Sequence, residues 1–83
     1  MDWHDWWLWE LEFTPHLMKR MVDRIFSDVD VRLMLDAANG FYENHEDGRF
    51  VIDTTHDRRR WAVIVEPSAH DAVLIVVPAY PID

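Results

Sequence analysis

The sequence predicts a two-layer α+β domain with the element order β-α-α-β-β-β, in which two helices cover one face of a mainly antiparallel four-stranded sheet. Three observations predict this class. Residues 8–13 alternate apolar and polar side chains, residues 14–39 carry two helical patterns, and residues 49–80 hold three β-rich runs separated by polar turns. The 83 residues are the length of one domain, 1–83, and residues 1–7 form a tryptophan-rich N-terminal extension of it.

The first strand is predicted over residues 8–13, with the sequence LWELEF. Its alternation is typical of a strand that buries one side only. The side predicted to be buried carries Trp9, Leu11 and Phe13. A helix start follows at once, because the Thr14 hydroxyl can cap free backbone N–H groups and Pro15 suits the first helical position.

Two helices are predicted in succession. The predicted apolar stripe of the first is Leu17, Met18, Met21, Val22 and Ile25. Ser27 gives the second helix a capping hydroxyl, and acids in its first turn suit the positive end of the helix dipole. The predicted inner face of the second helix is Val29, Leu33, Met34 and Ala37. Asn39 and Gly40 are expected to end it, since both tolerate left-handed geometry.

Three strands are predicted in the second half, over residues 49–55, 60–66 and 72–80. Short polar turns join them, so they form an antiparallel meander. The last two have continuous apolar runs, which are typical of central strands. Pro78 has no amide hydrogen, so strand pairing should weaken there. The first strand must join this sheet to bury its own apolar side.

Composition narrows the classes of function. The net charge of −8 argues against non-specific binding to duplex nucleic acid. With no cysteine, disulfides and thiolate chemistry are excluded, and the five histidines lack the spacing of a metal site, so neither a metal nor another cofactor is expected. The longest apolar run is far shorter than a membrane helix, and the N-terminus lacks the basic region of a signal peptide. We therefore expect a soluble cytoplasmic protein that does not bind a membrane.

A cationic line is predicted on the first helix of this acidic chain. His16, Arg20 and Arg24 follow at a constant spacing of four, and each step of four turns about 40° around an ideal helix. Two guanidinium groups and an imidazole can hold a phosphate, because arginine offers a planar fork of donors. The alternative is a solvated helix face whose cations pair with neighbouring acids.

The pattern H-x-x-x-R-M-x-x-R at residues 16–24, with RFVIDTTHDRRRWAVIVEP at 49–67 and a late AYP at 79–81, resembles a small bacterial family known as a domain of unknown function. That family is similar to the RelE/ParE-type toxins and to the BrnT toxin. The resemblance covers residues 8–83 and implies a RelE/ParE-like sheet with two helices. The chain departs from it after Arg24, where family members often have glycine and this chain has Ile25-Phe26.

The resemblance implies a toxin of a toxin–antitoxin pair and, as in RelE and BrnT, a metal-independent ribonuclease. Its partners would then be RNA and an antitoxin-like protein. Metal-independent cleavage of RNA needs a base, an acid and cations that stabilise the charged phosphorane. His16 or His56 is the candidate base or acid, because imidazole exchanges protons near neutral pH. The candidate cations and late tyrosine are Arg20, Arg24, Arg58, Arg60 and Tyr80.

Other assignments stay open on the sequence alone. The run DRRR at residues 57–60 is also typical of a charged hairpin tip that discourages aggregation, and the sequence favours that interpretation. Trp3, Trp6 and Trp7 are candidate partner-binding residues or a homodimer face if they are exposed, and otherwise a segment folded over the sheet edge. The same fold could therefore serve as a non-catalytic protein-interaction module, using the tryptophans or a sheet edge, or as a binder of a small anion.

Overall fold

The computed structural model describes residues 5–24, 26–43 and 48–82. After a short N-terminal 3₁₀ turn, Asp5–Leu8, the chain forms two helices and five strands. The helices are α1 (Pro15–Arg24) and α2 (Asp28–Asp36). The strands are β1 (Glu10–Phe13), β2 (Gly40–Glu43), β3 (Phe50–His56), β4 (Arg59–Ser68) and β5 (Val73–Pro81). The predicted α+β class and both helices are confirmed.

The five strands form one mixed sheet in the order β1-β5-β4-β3-β2. The three C-terminal strands pair antiparallel as a meander, as predicted, and β4 and β5 are both interior strands. The first strand joins the sheet beside β5 and runs parallel to it, with Glu10 opposite Val73 and Phe13 opposite Val76. The two sheet edges are therefore β1 and β2, the shortest strands of the sheet.

The sheet has five strands, where four were predicted. The additional strand, β2, pairs antiparallel with β3 from Gly40 opposite Asp53 to Glu43 opposite Phe50. Asn39 and Gly40 do not end α2 in left-handed geometry; the helix ends at Asp36, and the Asn39 N–H donates to the Asp53 carbonyl at 2.8 Å. That bond to β3 draws this segment into the sheet, so a residue pair that resembles a helix stop becomes the start of a strand.

The register of β4 against β5 shifts where the sequence predicts weak pairing. Val63 lies opposite Ala79, but Val65 lies opposite Val76, so β5 carries an irregularity at Val77 and Pro78. Proline has no N–H group to donate to the neighbouring strand. A bulge accommodates it without leaving a carbonyl group of that strand unpaired. The Val77 carbonyl instead accepts a hydrogen bond from the Thr14 hydroxyl at 3.2 Å, which ties the bulge to the end of β1.

Both helices begin at the predicted hydroxyl residues. The Thr14 hydroxyl accepts a bond from the Leu17 N–H at 3.3 Å. Ser27 forms a capping box: its hydroxyl accepts from the Asp30 N–H at 3.3 Å, and the Asp30 carboxylate accepts from the Ser27 N–H at 2.8 Å. These bonds satisfy N–H groups that the helices cannot pair internally.

One continuous core lies between the helices and one face of the sheet, which we call the helix face. The helices contribute Leu17, Val31, Met34 and Leu35, the segment between them contributes Phe26, and the strands contribute Ile52, Trp61, Val63, Val65, Leu74, Val76 and Ala79. The core includes one buried polar side chain, Thr54, whose hydroxyl donates to the Met34 carbonyl near the end of α2. We call the opposite side of the sheet the open face, because the buried residues of both described helices all belong to the core on the helix face.

The N-terminal turn belongs to this core. Trp6 and Trp7 are each only 8% exposed, and their rings contact Phe41 and Phe50 on the helix face. The Trp9 N–H closes the turn on the Trp6 carbonyl at 3.0 Å, so β1 begins at Glu10 rather than at Leu8. The interpretation of Trp6 and Trp7 as exposed contact residues is therefore corrected: their indoles are covered by the protein itself. Trp3 lies outside the described residues.

Candidate functional site

The cationic line predicted on the first helix is present on the surface of α1. His16, Arg20 and Arg24 are exposed, and the Arg20 Nε–H donates to His16 Nε2 at 3.2 Å. This contact joins two of the three predicted residues.

The predicted polar turn is the two-residue hairpin between β3 and β4. Asp57 and Arg58 occupy it with φ of 52° and 66°, the left-handed geometry that a two-residue hairpin of this kind needs. Aspartate tolerates that region, whereas an arginine there costs about 1 kcal/mol relative to glycine. The chain therefore holds an arginine at the hairpin tip at the expense of local backbone strain.

The remaining predicted residues divide between the two faces of the sheet. His56 lies on the helix face, where its ring stands edge-on to Trp61 with centroids 5.5 Å apart. Tyr80 pairs with Ala62 in the register, one residue away from Trp61, so it lies on the open face together with Arg60. The Arg60 Nη2 is 3.7 Å from the Asp53 Oδ1, too far for a hydrogen bond but close enough for a weak ion pair.

The seven residues predicted to bind and cut RNA thus do not form one site. The structure brings His16 together with Arg20, while Arg60 and Tyr80 point away from the helices. Within residues 5–24, 26–43 and 48–82, no group of three histidine, aspartate or glutamate side chains could hold a metal ion.

A groove with a volume of about 660 Å³ lies between α1, α2 and the end of β1. We call it the α1–α2 groove. Its apolar wall consists of Phe13, Met18, Met21, Val22 and Phe26. Met18 is 54% exposed and Val22 is 78% exposed, whereas Leu17 on the same helix is buried. The apolar stripe of α1 is thus wider than the core requires, and its outer half lines the groove.

The second helix carries a matching surplus. Val29 is 63% exposed and Leu33 is 55% exposed, although both were predicted to face the core. The residues that α2 buries are Val31, Met34 and Leu35. Val29 and Leu33 are four apart and form a second stripe on the outer side of α2. Val29 also lines a smaller hollow of about 280 Å³ that shares Phe13 and Asp28 with the α1–α2 groove.

The polar end of the groove is acidic. Ser27, Asp28 and Asp30 line it, and Glu10 lines the adjoining hollow. The carboxylates also serve α2, because Asp30 completes the capping box and the Asp28 Oδ1 accepts from the Val29 N–H at 3.0 Å. These bonds to neutral N–H groups leave the negative charge in place. The groove therefore combines an apolar floor with a negative rim.

Arg32 is the one cation that lines the hollow, and its guanidinium already has partners. Its Nη1 donates to the Trp7 carbonyl at 3.0 Å, and its Nη2 donates to the Trp9 carbonyl at 2.7 Å. The side chain therefore holds the N-terminal turn against α2. A planar fork of donors suits two neighbouring carbonyl groups, so this arginine is a structural clamp between the two segments.

The sequence contained a signal for the groove. The five apolar residues predicted on the first helix, from Leu17 to Ile25, span about 140° of an ideal helix, more than one buried stripe needs. The sequence predicts them only as one apolar stripe. On both helices, the apolar residues beyond those that the core covers indicate a second contact face.

The chain was compared with protein-family profiles, with curated proteins and with solved structures, and none of them matches it. Among the described residues, neither helix has the length and the apolar content needed to cross a lipid bilayer.

Proposed function

We propose that this protein is a protein-interaction module that binds its partner in the α1–α2 groove. One observation carries the proposal: Met18 and Val22, one turn apart on α1, are largely exposed and line one groove, and the exposed Val29 of α2 lines the hollow that adjoins it. Single exposed apolar residues are common, but a contiguous patch with a polar rim is typical of an interaction site.

The physical argument is the gain from covering this surface. Burying the exposed parts of Met18, Val22 and Val29 yields about 25 cal/mol for each Å² of apolar area removed from water. Methionine side chains adapt to different shapes, which suits a wall that must pack against a partner. None of these residues is needed to close the core, because Leu17, Val31, Met34 and Leu35 already do so.

The test is a selection of displayed random peptides on the wild-type chain, followed by binding measurements on a groove variant. We expect the selected peptides to bind the wild type with micromolar Kd and to bind Met18→Glu/Val22→Glu at least about tenfold more weakly, a loss of about 1.4 kcal/mol. Both substituted side chains are largely exposed, so the variant should keep its urea midpoint.

Leu8→Glu is the matched control, since Leu8 is 84% exposed and does not line the groove. It should bind the selected peptides as the wild type does. A failure to select any peptide, or equal binding to the wild type and to the groove variant, would refute the proposal.

A second candidate is the toxin-like ribonuclease with a RelE/ParE-like fold, for which RNA and an antitoxin-like protein are the partners. Two observations support it: the Arg20–His16 bond at 3.2 Å and the strained backbone of Arg58. Glycine would fill the left-handed position of Arg58 at lower cost, so the arginine there suggests a role beyond the turn itself. In this reaction the 2′-oxygen attacks the adjacent phosphorus and loses its proton to a base. The 5′-oxygen leaves with a proton from an acid, and a 2′,3′-cyclic phosphate results.

Induced expression in a bacterial host tests the second candidate. Wild-type chain should arrest growth and degrade RNA, while Arg20→Ala/Arg24→Ala should do neither and still fold. Lys19→Ala is the matched control, because it removes an exposed cation from the same helix and should remain toxic. Normal growth and intact RNA with folded wild-type protein would remove this candidate.

A further inference from the structure

We infer that the α1–α2 groove takes a cationic amphipathic helix, with apolar residues on one side and lysine or arginine beside them. This inference rests on the proposed function and names the class of partner. It follows from the shape of the groove, from the charge at its rim and from the state of the neighbouring sheet edge.

The shape of the groove indicates a helix. Met18 and Val22 lie one helical turn apart in the apolar wall of the groove, beside Phe13. A third helix that lays residues i, i+4 and i+7 against this wall would complete an ordinary helix-in-groove contact. An extended strand would instead need the free edge of β1. The carbonyl groups of Trp7 and Trp9, just before that strand, are already bonded to Arg32.

The charge of the groove indicates a basic partner. Asp28 and Asp30 stand at its rim and Glu10 stands at the adjoining hollow, while the guanidinium of Arg32 is held against backbone carbonyls. Lysine or arginine beside the apolar anchors would meet these carboxylates and would be steered towards them. A second copy of this chain carries the same net charge of −8, so its approach is opposed by repulsion between like charges.

The test uses two synthetic peptides of about four helical turns. Both carry leucine at positions i, i+4, i+7 and i+11; the remaining positions are rich in lysine in one peptide and rich in glutamate in the other. We expect the lysine peptide to bind the wild type at least about tenfold more tightly than the glutamate peptide at low salt, with the difference shrinking at high salt. The variant Met18→Glu/Val22→Glu should no longer bind the lysine peptide measurably.

A pair of charge variants isolates the rim. Asp28→Asn keeps an oxygen that can accept from the Val29 N–H but removes the charge. It should raise the Kd of the lysine peptide about two- to fivefold. Glu43→Gln is the matched control, because it removes one exposed charge from β2, at the far edge of the sheet from β1. It should change the Kd by less than about half of that effect.

The outcomes separate the two proposals. Equal binding of both peptides, lost in the groove variant, would overturn the basic partner and leave the docking groove standing. Tighter binding of the glutamate peptide would do the same. A wild-type dimer in analytical ultracentrifugation that Val22→Glu dissociates would overturn the helix partner in favour of a second copy. Binding of neither peptide, together with no peptide selected from the random library, would overturn the groove itself.

Discussion

Trp6→Ala is expected to lower the free energy of unfolding by about 3–5 kcal/mol, the usual cost of truncating a buried aromatic side chain. Trp6 is 8% exposed, and its ring centroid lies 5.2 Å from that of Phe50 and 5.6 Å from that of Trp7. A domain of this size has a total stability of about 5–15 kcal/mol. The variant should therefore lose a large part of its stability, although the residue lies in a segment that the sequence presents as an extension.

Urea unfolding followed by far-UV circular dichroism measures this effect without depending on tryptophan fluorescence. Leu8→Ala is the control, because Leu8 lies in the same turn but is 84% exposed, and its truncation should change stability by less than about 0.5 kcal/mol. If Trp6→Ala kept full stability and weakened binding of a partner instead, the role of this indole would be a contact role and its packing in the core would be secondary.

Arg32→Leu is expected to lower the free energy of unfolding by about 2–4 kcal/mol. The guanidinium donates to two backbone carbonyl groups, at 3.0 Å to Trp7 and 2.7 Å to Trp9. Hydrogen bonds from a charged donor contribute about 1.5–3 kcal/mol each, and part of that remains recoverable where water can reach the carbonyl groups. Leucine keeps the helix propensity and the apolar stem, so the loss reports the hydrogen bonds.

The comparison for this prediction is Arg20→Leu on α1. Arg20 is exposed and its bond to His16 is a surface contact one turn away, so its removal should cost less than about 0.5 kcal/mol. Arg32→Lys should fall between the two, because one ammonium cannot reproduce the planar fork. Equal stability of Arg32→Leu and Arg20→Leu would mean that water replaces the clamp at no cost.

Local hydrogen-bonding chemistry explains which parts of the fold could be predicted. Thr14 and Ser27 start helices because their hydroxyls satisfy N–H groups a few residues away, and that chemistry is visible in the sequence. The three C-terminal strands were located within two residues at each end, because long β-rich runs between polar turns leave few alternatives. Pro78 likewise marked the irregularity in β5, since the missing amide hydrogen acts wherever the strand pairs.

What sequence reasoning missed depends on contacts between distant segments. The strand β2 has four residues, too few for an alternation pattern, and it exists because β3 supplies a partner. Trp6 and Trp7 carry no period, and their burial depends on Phe41 and Phe50. The groove was missed for a similar reason: Met18 and Leu17 are both apolar, and only the position of the sheet decides which of them is covered.

The separation of the cationic residues also depends on distant pairing. His56 and Arg60 are four residues apart, but the hairpin turn and the alternation of the strands place them on opposite faces. The sequence could supply the residue types for an anion site, but the register of β3 against β4 decides which of them can cooperate.

The parallel pairing of β1 with β5 has a consequence for the order of folding. Thr14 and Val77 are joined by a hydrogen bond across 63 residues, whereas β3, β4 and β5 are joined to their neighbours through short hairpins. Loop-closure entropy rises with the logarithm of loop length, so the local hairpins form at lower entropic cost than the contact between the two ends of the chain. We therefore expect the first strand to dock last and to detach first. Phe13 belongs to that strand and lines the groove, so the groove is complete only when β1 has paired with β5. A partner bound in the groove would therefore stabilise the state in which β1 is paired.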